Sequence, residues 1–93
     1  MKKEWINNSR EEQETIINID YCDKTISVYT TRKQVGERLY KKFGEPDNID
    51  YLDGKISGVE YRGNLYDKDV SKYFSKTILI GNFAQKNIEE QND

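Results

Sequence analysis

A chain of 93 residues with no histidine has few ways to move a proton or hold a transition metal. Imidazole is the commonest general base and metal ligand, and its absence also removes any Cys–His dyad. The single cysteine, Cys22, stands beside Asp23 and Lys24. A neighbouring lysine lowers a thiol pKa, but no second group completes a nucleophile, so Cys22 reads as an ordinary hairpin cysteine. Carboxylates remain. Asp47, Asp50 and Asp53 are spaced by three, without the alternating oxygen ligands, glycine and closing glutamate of a calcium loop. Asp67 and Asp69 suit a helix start better than a metal pair. Two carboxylates can hydrolyse a glycoside, yet a domain this small has a thin core and little room for a deep cleft. The glycines at 36, 44, 54, 58, 63 and 81 occur singly, so no phosphate loop is formed. The chain is expected not to be an enzyme, with no catalytic, cofactor-binding or metal-binding residues and no cofactor.

The apolar pattern marks the elements that carry these side chains. Ile17, Ile19 and Tyr21 alternate with Asn18 and Asp20, which predicts a strand over 15–21. Cys22 to Lys24 is a turn, and Thr25 to Thr30 returns with Ile26 and Val28 on one face. Thr31 and Gln34 have capping-box spacing and open a helix that runs to Phe43, with Val35, Leu39 and Phe43 as its apolar stripe. Gly44 suits the left-handed position after the helix, and Pro46 prevents continuation. Gly36 costs that helix about 1 kcal/mol relative to alanine, and would permit a close helix–sheet approach.

A second, fainter copy follows. Ile49 to Leu52 is a short strand, Asp53-Gly54 a two-residue hairpin turn, and Lys55 to Tyr61 the return. Arg62 to Asn64 reads as a loop. Asp67 caps a short helix over 68–75 with Val70, Tyr73 and Phe74 inward. Thr77 to Ile80 then reads as a last strand, ended by Gly81. Ile19, Asp20, Tyr21 and Asp23 answer to Ile49, Asp50, Tyr51 and Asp53, and Ile26-Ser27 to Ile56-Ser57. The expected fold is α+β, in the order ββα-ββα-β: an antiparallel sheet of about five strands with two helices packed on one face.

Residues 14–83 are expected to form the one domain, between a mobile N-terminal arm at 1–13 and a frayed tail at 84–93. In the arm, Ser9 to Glu12 has the spacing of a brief helical turn, and Trp5 with Ile6 could pack over a sheet edge or meet a partner. The N-terminus has no apolar signal-peptide core, and no run approaches the about 18 apolar residues of a membrane span. A lone cysteine needs no oxidising compartment. A cytoplasmic location, whether in a bacterium or in a host cell, is therefore expected, with no membrane partner, as a monomer or a homodimer.

Two surfaces are candidates for binding. The segment from Glu45 to Asp53 gathers Glu45, Asp47, Asp50 and Asp53 around Tyr51, which would suit a basic groove on another protein. Seven tyrosines favour an interface, although a small sheet also needs bulky residues. The first helix instead carries Arg32, Lys33, Arg38, Lys41 and Lys42 against Glu37, which would suit nucleic acid.

The run from Glu14 through Tyr21, the segment Val28 to Lys33 and the segment Lys42 to Pro46 resemble a type of small protein from low-GC Gram-positive bacteria. That type recurs in their genomes, prophages and plasmids. The likeness spans roughly residues 14–80 and transfers no site residue. In size and in lacking catalytic groups the chain is also similar to anti-CRISPR inhibitors of type II effector nucleases, proteins of phages and other mobile genetic elements. The resemblance implies a stoichiometric inhibitor that blocks such a nuclease through the acidic, tyrosine-rich side. The alternative is a small nucleic-acid-binding or regulatory module that uses the first helix.

Overall fold

The computed structural model describes residues 4–7 and 12–82. The turn expected around Ser9 and the tail at 84–93 lie outside the described residues. Six elements follow in order: β1 (Thr15–Asp20), β2 (Thr25–Thr30), α1 (Lys33–Phe43), β3 (Asn48–Leu52), β4 (Lys55–Asn64) and α2 (Lys68–Asn82). The strands form one antiparallel sheet of four in the order β1-β2-β4-β3. The second strand of each hairpin meets its counterpart at the centre, and the first strands are the edges.

The expected fifth strand does not form. Thr77 to Ile80 continue α2 without a break. A four-residue apolar run is read equally well as strand or buried helix, and no turn residue separates this one from the helix before it. Phe74 and Thr77, three apart, are both buried, and the Thr77 hydroxyl donates to the Phe74 carbonyl at 2.6 Å within the helix.

The expected loop at Arg62 to Asn64 is strand as well, paired with Ser27, Ile26 and Thr25 of β2. Tyr21 leaves β1 for the turn and is 73% exposed, so it does not share the inward face of Ile17 and Ile19.

The core lies between the sheet and the helices. Ile26 and Val28 of β2 and Ile56, Val59 and Tyr61 of β4 meet Val35 and Leu39 of α1 and Phe74 of α2. Ile56 and Val59 share this face although they lie three positions apart, an odd spacing. A bulge resolves the parity: opposite Asp50 and Tyr51 the register of β4 jumps from Gly58 to Ile56. Gly63 lets α2 approach closely, since a Cβ there would strike Val70.

Start and stop signals are partly as expected. Asp67 caps α2, its carboxylate accepting the backbone N–H of Asp69 and Val70. Gly44 ends α1 at φ 85°, and its N–H returns to the Tyr40 carbonyl. Asp53 and Gly54 both have positive φ, as the tight hairpin requires. The Thr31–Gln34 box does not form. Arg32 is the N-cap residue of α1, with no side-chain cap. Thr31 is drawn off instead: its hydroxyl accepts the Glu14 N–H at 2.9 Å and donates to the Glu12 carbonyl at 3.0 Å.

Part of the N-terminal arm docks on the sheet. Trp5 bridges Ile56 in parallel register, with Ile6 N–H to Ile56 C=O and Ile56 N–H to Glu4 C=O both at 2.8 Å. The indole lies against Gly36 of α1, whose missing side chain leaves its space. The glycine thus admits an indole, where the sequence suggested a bare approach of helix to sheet.

Candidate functional site

β3 is an edge strand, and the acidic segment runs along it and its two flanks. Asp47 precedes the strand and extends its ladder. Its N–H donates to the Glu60 carbonyl at 2.9 Å, and its carboxylate accepts the Arg62 N–H at 2.7 Å. Asp50 points to the sheet face away from the helices and accepts the Tyr29 hydroxyl at 3.0 Å. Tyr51 pairs with Ile56, which puts it on the other face by strand alternation, at 52% exposed. Leu52 beside it is 54% exposed, and Asp53 sits in the turn. Glu45 is exposed before Pro46.

The five residues picked out from the sequence therefore share one edge but not one face. Two of their carboxylates are hydrogen-bonded in place, which orders the negative charge along the edge without neutralising it. Lys55, opposite Leu52, turns its ammonium toward Glu4 at 3.9 Å. Sequence reasoning passed over Leu52, because nothing local distinguishes a strand leucine that faces solvent from one in the core.

The edge also shifts two phenols. Tyr61 donates to the Gly44 carbonyl at 2.7 Å. Burial, then the negative charge of Glu45, Tyr40 and Asp47, pushes its pKa far above the usual 10.0. Tyr29 is also held above 10.0, by burial first and then by Asp50, which accepts its proton in the hydrogen bond.

The basic residues are on the opposite layer. Arg38, Lys41 and Lys42 line an open depression on α1 with Gln34, Glu37 and Tyr40, and it ends at Tyr73 of α2. Tyr73 reaches the Arg38 carbonyl at 3.4 Å, and the Lys42 ammonium stands 5.7 Å from its ring centre. Phe43 holds the two helices together, edge-on to both Tyr73 and Phe74 at 5.4 Å between ring centres. Arg32 and Lys33, at the start of α1, do not line the depression themselves, although Arg32 Nε donates at 3.1 Å to Gln34, which does.

Among the described residues no three of the aspartate, glutamate and cysteine side chains converge as metal ligands, and no helix is long and apolar enough to cross a membrane. Cys22 is exposed in the first hairpin turn. Comparison with protein-family models, curated proteins and solved structures finds no match.

Proposed function

We propose that the protein is a non-enzymatic binding protein that acts through the β3 edge on a basic surface of another protein. The observation that carries this reading is the β3 edge itself, where Tyr51 and Leu52, each more than half exposed on opposite faces of the strand, are flanked by Glu45, Asp47, Asp50 and Asp53. A partner laid along this edge would reach both faces of it, with the carboxylates steering association and the apolar side chain on either face holding it.

The resemblance to anti-CRISPR inhibitors supplies the partner class to test, a type II CRISPR effector nuclease. Such an enzyme holds its guide and target strands in a positively charged channel, and an acidic edge is complementary to it.

The test is a cleavage assay with wild type, the Asp50→Lys/Asp53→Lys variant and Tyr51→Ser. Wild type should inhibit, and both variants should weaken inhibition by roughly tenfold or more, a loss above 1.4 kcal/mol. Tyr29→Phe, which loses the hydrogen bond to Asp50 but keeps the charge, should inhibit as wild type does. Undiminished inhibition by the lysine variant would end the acidic-edge reading.

A further inference from the structure

We infer a second binding face, for single-stranded nucleic acid, across the two helices and opposed in charge to the β3 edge. The net charge of −2 conceals this, because the folded chain sorts its charges by layer. Helix α1 carries Lys33, Arg38, Lys41 and Lys42 against Glu37, and α2 carries Lys68, Lys72 and Lys76 against Asp69. Seven cations thus face two carboxylates on the helices, while the other described residues hold eleven carboxylates against four cations. All seven helical cations are exposed.

The arrangement favours nucleic acid over an acidic polypeptide. Arg38, Lys41 and Lys42 surround a depression that also holds one carboxylate, Glu37, and two phenol rings, Tyr40 and Tyr73. Lys76, one turn on from Tyr73, continues the cations along α2 by helical spacing. Cations that track a backbone, interleaved with rings on which bases stack, are how proteins hold single strands without reading sequence. A duplex is the poorer fit. α1 lies flat on the sheet with Val35, Gly36 and Leu39 buried, and does not project as an element that could enter a groove.

This face is independent of the β3 edge, and its test involves no nuclease. The full chain is titrated into a labelled oligothymidine strand at low salt, with duplex DNA of the same length and polyglutamate as comparisons. Wild type should bind the strand more tightly than the duplex, and polyglutamate should not compete. Arg38→Gln/Lys42→Gln should weaken binding roughly tenfold, and its log–log salt slope should fall by about 1.4 for two lost phosphate contacts. Lys24→Gln/Lys55→Gln removes the same charge from the sheet side and should bind as wild type does. If Arg38→Gln/Lys42→Gln fails to fold by circular dichroism, Lys41→Gln/Lys72→Gln carries the same expectation from exposed positions. The inference is overturned by any of four results: no binding at low salt, preference for duplex, effective competition by polyglutamate, or equal losses in the helix-side and sheet-side pairs.

Discussion

Tyr29 lies across Gly58 and hydrogen-bonds Asp50 on the far strand at 3.0 Å. The ring spans β4 from β2 to the edge, and it can do so only because position 58 has no side chain. A Cβ there would stand 2.8 Å from the ring carbon that bears the hydroxyl. Gly58→Ala should therefore lift the ring, break the bond to Asp50 and destabilise the fold by about 1–2 kcal/mol. In a Tyr29→Ser background the same substitution should cost much less. Urea unfolding of the four proteins in this cycle checks the coupling; equal costs in both backgrounds would deny it.

Trp5 and Gly36 form a second such pair. Alanine in the middle of a helix gains about 1 kcal/mol over glycine, so Gly36→Ala on α1 alone would be expected to stabilise. Here the added methyl would strike the Trp5 indole. The prediction is net destabilisation, with Trp5 displaced toward water. Trp5 is the single tryptophan, so its emission should move to longer wavelength in Gly36→Ala. An unshifted spectrum with raised stability would contradict the packing.

The entry to α1 depends on Thr30, a strand residue, more than on Thr31 or Gln34. The buried Thr30 hydroxyl accepts the Arg32 N–H at 3.0 Å and meets the Thr15 hydroxyl at 2.9 Å. Thr30→Val should cost about 1–3 kcal/mol by stranding those groups. Gln34→Ala, outside any capping box, should change the unfolding midpoint little.

Alkaline pH should loosen the structure through Tyr61. Its folded pKa is raised above the unfolded value near 10.0 by burial and by Glu45 and Asp47. The folded state therefore holds the proton that the unfolded state releases. The stabilisation is fully present below pH 10 and is lost as pH climbs toward the folded pKa. Tyr61→Phe should be less stable at pH 8, having lost the bond to the Gly44 carbonyl. It should also fall less steeply between pH 9 and 11 than wild type. Parallel decline of the two denaturant midpoints would show that the phenol is not responsible.

Asp47 and Asp53 separate structure from binding on the acidic edge. Asp47→Ala leaves the Arg62 N–H without its carboxylate acceptor and should cost about 1 kcal/mol of stability. Asp53→Asn keeps a residue tolerant of positive φ. It should leave the unfolding midpoint unchanged while weakening partner binding. The midpoint and the inhibition constant, measured on both variants, distinguish the two roles.

Much of the local structure was legible because its causes are local. Asp53-Gly54 demands positive φ, Asp67 offers an oxygen to the N–H groups of α2, and Val35, Leu39 and Phe43 recur at helical spacing. The candidate sites were legible only as charge along the chain. Asp50 and Tyr51 are neighbours in sequence and face opposite sides of the sheet. Tyr73 joins the α1 cations only once α2 is laid beside that helix.

By itself the sequence determined two hairpins, the helix after each, and a chemistry without imidazole. These depend on backbone angles, capping groups and periods that act within a few residues. The tertiary structure alone decided that Thr77 to Ile80 extend α2, that β2 and β4 meet at the centre, and that Trp5 fills the space Gly36 leaves. Each of these depends on which distant surfaces exclude water together, and burial is a property of the assembled chain that no short window of residues contains.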